Sequence, residues 1–177
     1  PLIDEIFDKR SSCTTCPTIA NGTLTFPSNN NGINLGYRLT QLPSTAKSIS
    51  MRLMVASATA TGRVATFQSS NPSALLLGID YDQSTNKLIA TAAANGSTQS
   101  VTTTTTMVAD TWATLNIQAQ ATDSTTTFEF SLDGVAFGKI VLPGQFTNAA
   151  LTLGAVATAT AATRMTIDDI SVSNPAI

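Results

Sequence analysis

An alternation of apolar and polar residues with period two constrains this chain more than any other feature. Ile49, Met51, Leu53 and Val55 alternate with Ser50, Arg52, Met54 and Ala56. Leu75, Leu77 and Ile79 repeat the pattern, and Leu115, Ile117 and Ala119 alternate with Asn116, Gln118 and Gln120. Phe128, Phe130 and Leu132 alternate with Glu129, Ser131 and Asp133. Successive side chains of an extended strand point to opposite faces, so such segments read as half-buried antiparallel strands. Turn signals separate them at Asn21-Gly22, Asn31-Gly32, Asn71-Pro72, Asn95-Gly96, Asp133-Gly134 and Pro143-Gly144. The pattern predicts an all-β chain of roughly ten to thirteen short strands, with no helix after residue 20, arranged as a two-sheet sandwich.

Several local expectations follow. Asp133-Gly134 lies between Phe128–Leu132 and Val135–Leu142 and predicts a tight hairpin. Residues 82–86 predict a second one. Leu115, Ile117, Phe128 and Phe130 have matched parity and are expected in one core layer. Met165 and Ile167 share one parity while Ile170 and Val172 share the other, so a β-bulge at Asp168-Asp169 is expected to return all four to one face. The run Thr102–Thr106 reads as an exposed strand or edge rather than a linker.

The 177 residues suit one domain with a sizeable core. Hydrophobic residues are 42%, but charged residues only 11%, under half the usual share of about 25%. Thr and Ser together number 47, so hydroxyls replace charge on the surface. A formal net charge of −2 leaves no basic excess for phosphates, which argues against a nucleic-acid partner. The absence of histidine removes Ser-His-Asp and Cys-His catalysis and His-ligated zinc. No apolar run is long enough to span a membrane as a helix, and no signal-peptide pattern opens the chain. Pro1 is what removal of an initiator methionine ahead of proline would leave, and a cleaved precursor would look the same. The expectation is a product made in the cytoplasm without an export signal.

Residues 1–18 differ from the rest and form an expected N-terminal arm ahead of a sandwich over 19–177. Asp4, Glu5, Asp8, Lys9 and Arg10 concentrate five of the chain's twenty charges there. Leu2, Ile3, Ile6 and Phe7 supply an apolar surface too small for a core of its own, so they are expected to pack on the sandwich or on a neighbouring subunit. Cys13-Thr14-Thr15-Cys16 is a C-x-x-C followed by Pro17, without the strand–helix context of a redox motif or the second pair of a four-Cys zinc site. Free thiols, a small disulfide loop and an interchain staple remain open for Cys13 and Cys16.

Three stretches, in order, carry a resemblance to a known family. Trp112-Ala113-Thr114-Leu115-Asn116-Ile117 resembles the W-x-x-L-x-I strand of concanavalin A-like (laminin G-like) jelly rolls. Thr127 to Gly134 resembles the next strand and its Asp-Gly hairpin. Met165 to Val172 resembles their closing strand, which often reads I-D-D-[IV]-x-V. Asn21 to Phe26 fits an early strand of the same architecture. The resemblance covers about residues 19–173 and implies a two-sheet antiparallel jelly roll of about a dozen strands. The family hosts lectins, glycan-binding modules, glycosidases, adhesion domains and virion proteins, so the fold alone does not name a function.

Candidate chemistry is sparse. Glycoside hydrolysis needs two carboxylates flanking the bond, roughly 5–10 Å apart. The only glutamates are Glu5 and Glu129, and Glu129 has no acidic neighbour at 127 or 131. Glu129 reads as a solvated strand residue, and the chain as a non-enzyme. Sugar binding commonly uses exposed aromatic rings. Trp112, the single tryptophan, is out of parity with Leu115 and Ile117, which suits a rim position. Tyr37 and Tyr81 are the other candidates for a small site. Calcium could be held by Asp168 or Asp169 with backbone carbonyls, as the family resemblance allows, but a bulge explains both residues without it. No cofactor is expected. The reading is a non-enzymatic structural module, a virion surface (capsid decoration or cement) protein. Its expected partners are further copies of itself, guessed as a trimer, and a capsid or other protein surface. The alternative is a carbohydrate-binding, lectin-like module of a phage tail or an extracellular cell-surface adhesin.

Overall fold

The computed structural model describes residues 8–9, 18–26, 36–42, 47–57, 59, 61–71, 76–144, 147–154 and 164–173. Among them are fourteen strands and no helix: β1 (Asp8–Lys9), β2 (Thr18–Ala20), β3 (Thr23–Phe26), β4 (Gly36–Leu42), β5 (Lys47–Val55), β6 (Gly62–Asn71), β7 (Leu76–Asp82), β8 (Lys87–Ala94), β9 (Ser97–Thr102), β10 (Trp112–Ala121), β11 (Thr125–Leu132), β12 (Val135–Pro143), β13 (Thr147–Gly154) and β14 (Met165–Ser173). The count exceeds the sequence-based range. β1 and β2, of two and three residues, are too short to show an alternation.

The strands form two seven-stranded antiparallel sheets, the first ordered β1-β4-β13-β6-β7-β8-β9 and the second β12-β11-β10-β5-β14-β3-β2. The chain passes between sheets after β1, β3, β4, β5, β9, β12 and β13, so strands remote in sequence become neighbours and the two sheets cannot separate into independent units. This is a jelly-roll sandwich.

The core lies where the predicted parity puts it. Ile49, Met51, Leu53 and Val55 are buried, and so are Leu115, Ile117, Phe128, Phe130 and Leu132. Ile117 stands opposite Phe130 and Leu115 opposite Leu132, which makes the expected shared layer. Phe130 stacks on Phe137 with ring centroids 5.6 Å apart and lies 6.3 Å from Phe128. From the first sheet, Phe67, Leu77, Ile79, Leu88 and Leu151 close the other side. Leu75 lies outside the described residues.

The bulge in β14 is present, with pairing to β5 shifting between Asp168 and Ser171. Asp169 takes a positive φ of 48°. Met165 and Ile167 are buried on one side of the shift, and on the other Ile170 packs half-buried against the core while Val172 pairs with Ile49. Thr102 ends β9, and the rest of the threonine run is an anchored loop. Thr103 is buried and bonds both ways with the Leu88 backbone, and Met107 is buried at the loop's far end.

The hairpin between β11 and β12 turns on Asp133 (φ 50°) and Gly134 (φ 78°), the pair of positive angles that matches the twist of the flanking strands. A Cβ at position 134 would meet nothing, so any penalty there is conformational. Gly134→Val is expected to destabilise the fold by about 1–3 kcal/mol, read as a lower urea midpoint. An unchanged midpoint would mean the turn tolerates another geometry.

One side of the sandwich, where β9 meets β12, is closed by side chains. The Gln99 amide Nε2 donates to the Val141 carbonyl at 2.7 Å, and the Val141 N–H donates to Gln99 Oε1 at 3.3 Å. The amide thus stands in for a neighbouring strand and covers part of the β12 edge, which would otherwise invite pairing with another chain. Just beside it, Gly138 lies against Val101.

Candidate functional site

Polar side chains that alternate with the core form the outer faces of both sheets. On the second sheet the outward positions of β10 and β11 carry Asn116, Gln118, Gln120, Thr127, Glu129 and Ser131. Glu129 is more than half exposed and pairs with Lys139 at 3.0 Å on the neighbouring strand. It is the solvated residue that its isolation in the sequence implied.

At one end of this face lies a cluster around Trp112. The ring starts β10, half-buried at the outward position opposite Met54, as its parity required. Arg52 covers it, with the guanidinium carbon 4.9 Å from the ring centroid. The same guanidinium reaches Asp169 at 3.1 Å and Asp168 at 3.9 Å. The only tryptophan is therefore occupied by a cation–π contact. The two aspartates considered for calcium both face Arg52, whose single positive charge offsets one of their two. Asp168 also accepts the Asp169 N–H at 2.8 Å, which fixes the bulge. Among the described residues no three acidic or sulfur ligands converge on a metal position.

On the first sheet, Arg63 of β6 lies across β7. Its Nε donates to Asp80 Oδ1 at 2.6 Å and its Nη1 donates to Thr66 Oγ1 at 3.0 Å. Gly78 lies under the guanidinium. A Cβ there would come within 2.6 Å of Arg63 Cζ, so only glycine leaves room for the arginine to lie flat. Both partners are largely covered, with side-chain exposures of 19% for Arg63 and 27% for Asp80.

Tyr81 is buried on the inner face, its hydroxyl donating to Asn86 Oδ1 at 2.7 Å. Burial, then the nearby Asp82 charge, raises its pKa, so it is a neutral phenol over the ordinary pH range. Asp82 is lowered by hydrogen bonds from the Ser84 hydroxyl, the Ser84 N–H and the Thr85 hydroxyl. It is a turn-forming carboxylate. Tyr37 pairs through its backbone with Lys9 and Leu153, and its strand β4 lies three strands away from β7, which carries Tyr81. Cys13, Cys16, Leu2, Ile3, Ile6 and Phe7 lie outside the described residues. Of the arm, Asp8–Lys9 adds a short edge strand to β4.

Sequence reasoning did not find Arg52, Arg63, Asp80 or Gln99 as pairing residues. Arg52 and Asp80 could be assigned to outer faces by parity. Their partners depend on which strands are adjacent, and that is set by the crossovers between sheets.

The family model that matches residues 27–177 is that of the concanavalin A-like lectin/glucanases superfamily. No curated protein sequence matches the chain. Among solved structures, the LG4-5 domains of the mouse laminin alpha1 chain are similar at TM-score 0.65 and 13% identity, over 93% of this chain and 45% of that one. The chain thus spans under half the length of the laminin pair. An endo-beta-1,4-glucuronan lyase from the fungus Trichoderma reesei is similar at TM-score 0.67 and 12% identity, over 94% and 90% of the two chains. A legume lectin-like domain from Entamoeba histolytica is similar at TM-score 0.65 and 7% identity, over 98% and 92%. These likenesses are of fold, which binding proteins and glycan-degrading enzymes share. With the match running from β4 to the end of β14 and the jelly roll in place, the chain belongs to the concanavalin A-like lectin/glucanases superfamily.

Proposed function

We propose that this chain is a non-enzymatic module that works by surface contact, and that its setting is the outside of a virion, as a capsid decoration protein assembled from several copies. One observation carries the non-enzymatic reading. Every carboxylate whose side chain is described, except the turn residue Asp123, is already engaged. Glu129 pairs with Lys139, Asp80 with Arg63, and Asp168 and Asp169 with Arg52. Asp82 and Asp133 accept turn and strand hydrogen bonds, and Asp110 accepts the Ser57 N–H. A general acid of a glycosidase needs a raised pKa and a partner carboxylate across the bond. Asp82 is moved the other way, downward, by its hydrogen bonds from Ser84 and Thr85.

The virion setting is supported by the charge-poor, hydroxyl-rich surface, which suits close packing of copies, and by the charged arm ahead of the sandwich. Under this reading Leu2, Ile3, Ile6 and Phe7 pack on a neighbouring subunit. Deleting residues 1–17, which leaves β2 whole, is expected to keep the β-sheet circular dichroism and to reduce the solution mass from an oligomer, a trimer, to a monomer. A truncated chain with the full chain's oligomeric mass would overturn the arm's role. Mass spectrometry of purified particles should find the chain at a fixed ratio to the capsid protein.

A second reading, a lectin-like carbohydrate-binding module, is favoured by the family and by the legume lectin-like domain, which has this fold over nearly its whole length. A glycan array separates the two: saturable glycan binding with no particle association supports the second.

A further inference from the structure

We infer that the free edge of β9 receives residues 2–7 of a neighbouring copy as an added strand, which rests on the reading of the arm as an assembly element. Each sheet ends in two edge strands, and three of the four are blunted in ways that discourage pairing. β1 has two residues, both charged, and β2 has three residues. β12 carries Lys139 and Pro143, with the Gln99 amide over Val141. β9 lacks these devices. Its residues Ser97-Thr98-Gln99-Ser100-Val101-Thr102 hold no charge and no proline, and they pair with β8 without a register shift. The Thr103 N–H donates to the Leu88 carbonyl at 2.9 Å just beyond this ladder. Hydrogen bonding alternates along an antiparallel strand, so Ser97, Gln99 and Val101 turn their backbone groups to β8. Thr98, Ser100 and Thr102 turn theirs outward, where no described strand lies.

The surface beside this edge suits the arm. Among the described residues three large apolar side chains are exposed, and two of them, Val135 and Val141, stand on β12, which faces β9 across the side of the sandwich. Between them in sequence is Lys139, itself more than half exposed while bonded to Glu129 at 3.0 Å. The acceptor thus reads apolar, cationic, apolar. In an extended arm Leu2, Asp4 and Ile6 share one face and Ile3, Glu5 and Phe7 the other. Either face turned inward offers apolar, acidic, apolar. The donor must be a second copy. Leu2 is only about 20 Å of extended chain from Asp8, whereas β1 and β9 are opposite edges of a seven-stranded sheet, about 29 Å apart at the usual strand spacing. Each copy therefore gives its arm at one side and receives one at the other, a head-to-tail contact that closes as a ring.

The test compares solution masses by sedimentation. Ser100→Pro removes one outward N–H and no bond to β8, so it is expected to keep the β-sheet circular dichroism and to be a monomer at concentrations where the full chain is a trimer. Thr98→Lys, which places a charge on the same edge, is the second variant and is expected to behave alike. The chain lacking residues 1–17 keeps the acceptor edge and loses the donor, while Ser100→Pro keeps the donor and loses the acceptor. Each is expected to be a monomer alone, and the two mixed to form a one-to-one dimer. Folded edge variants with the full chain's mass, or a mixture that stays monomeric, would place the arm elsewhere and leave its assembly role standing. A deleted chain that stays oligomeric while the edge variants are monomers would put a second β9 on the edge and overturn the arm as its occupant. A full chain that is itself a monomer would remove both.

Discussion

Phe130→Ala is expected to lower the unfolding free energy by about 3–5 kcal/mol, the usual result of truncating a buried phenylalanine. Phe130 is 2% exposed and stands opposite Ile117. Its ring lies between those of Phe128 and Phe137. Removing it opens a cavity at the centre of β10–β12 and strips Phe137 of the contact that holds it half-buried. β10 and β11 cannot easily collapse into such a gap, because each is hydrogen-bonded on both sides. Chemical denaturation is the measurement. A loss below about 1 kcal/mol would show that this face does not point into the core.

Gly138→Val carries the second large expectation. The side of the sandwich at β9 and β12 is packed so closely that a Cβ at 138 would lie 2.6 Å from both Cβ and Cγ1 of Val101. Val101 Cβ is fixed by the backbone, so rotating a side chain gives no relief. The two sheets would have to part at that edge, which also strains the Gln99 amide pairing with Val141. Overpacking of this kind costs roughly 1–3 kcal/mol and sometimes more, and valine's branched Cβ puts this variant at the upper end. Gly138→Ala is expected to cost less. Adding Val101→Ala should recover only part of the loss, since the Cβ remains. Full recovery, or no loss to begin with, would mean the two edge strands lie farther apart than here.

The strands and turns were legible in the sequence for a physical reason. Parity decides burial whenever one face of a strand meets a core, so Ile49 to Val55 and Phe128 to Leu132 declare their orientation without knowledge of neighbours. The same holds for the β14 bulge, because a parity break at Asp168-Asp169 can be repaired only by one extra residue. Asp133-Gly134 announces its turn by backbone chemistry alone. The outer faces are a different problem. Arg63 meets Asp80 because β6 and β7 pair with a register shift between Arg63 and Ala65, and Arg52 meets Asp169 because β14 enters beside β5 from the far end of the chain. Neither pairing follows from local pattern. Gln99 is subtler still, since its partner is the backbone of the opposite sheet. The number of strands was underestimated because β1 and β2 exist through pairing with β4 and β3 and carry no periodicity of their own.

Whether the engaged carboxylates leave any capacity for glycan cleavage decides between a surface module and an enzyme. The most direct measurement incubates the full chain with a panel of neutral and uronate-containing polysaccharides and follows both reducing ends and unsaturated products over days. The expected result is no product above a protein-free control with any substrate. Turnover that is retained on repurification and abolished by Glu129→Gln or Asp80→Asn would contradict the account and make the chain an enzyme.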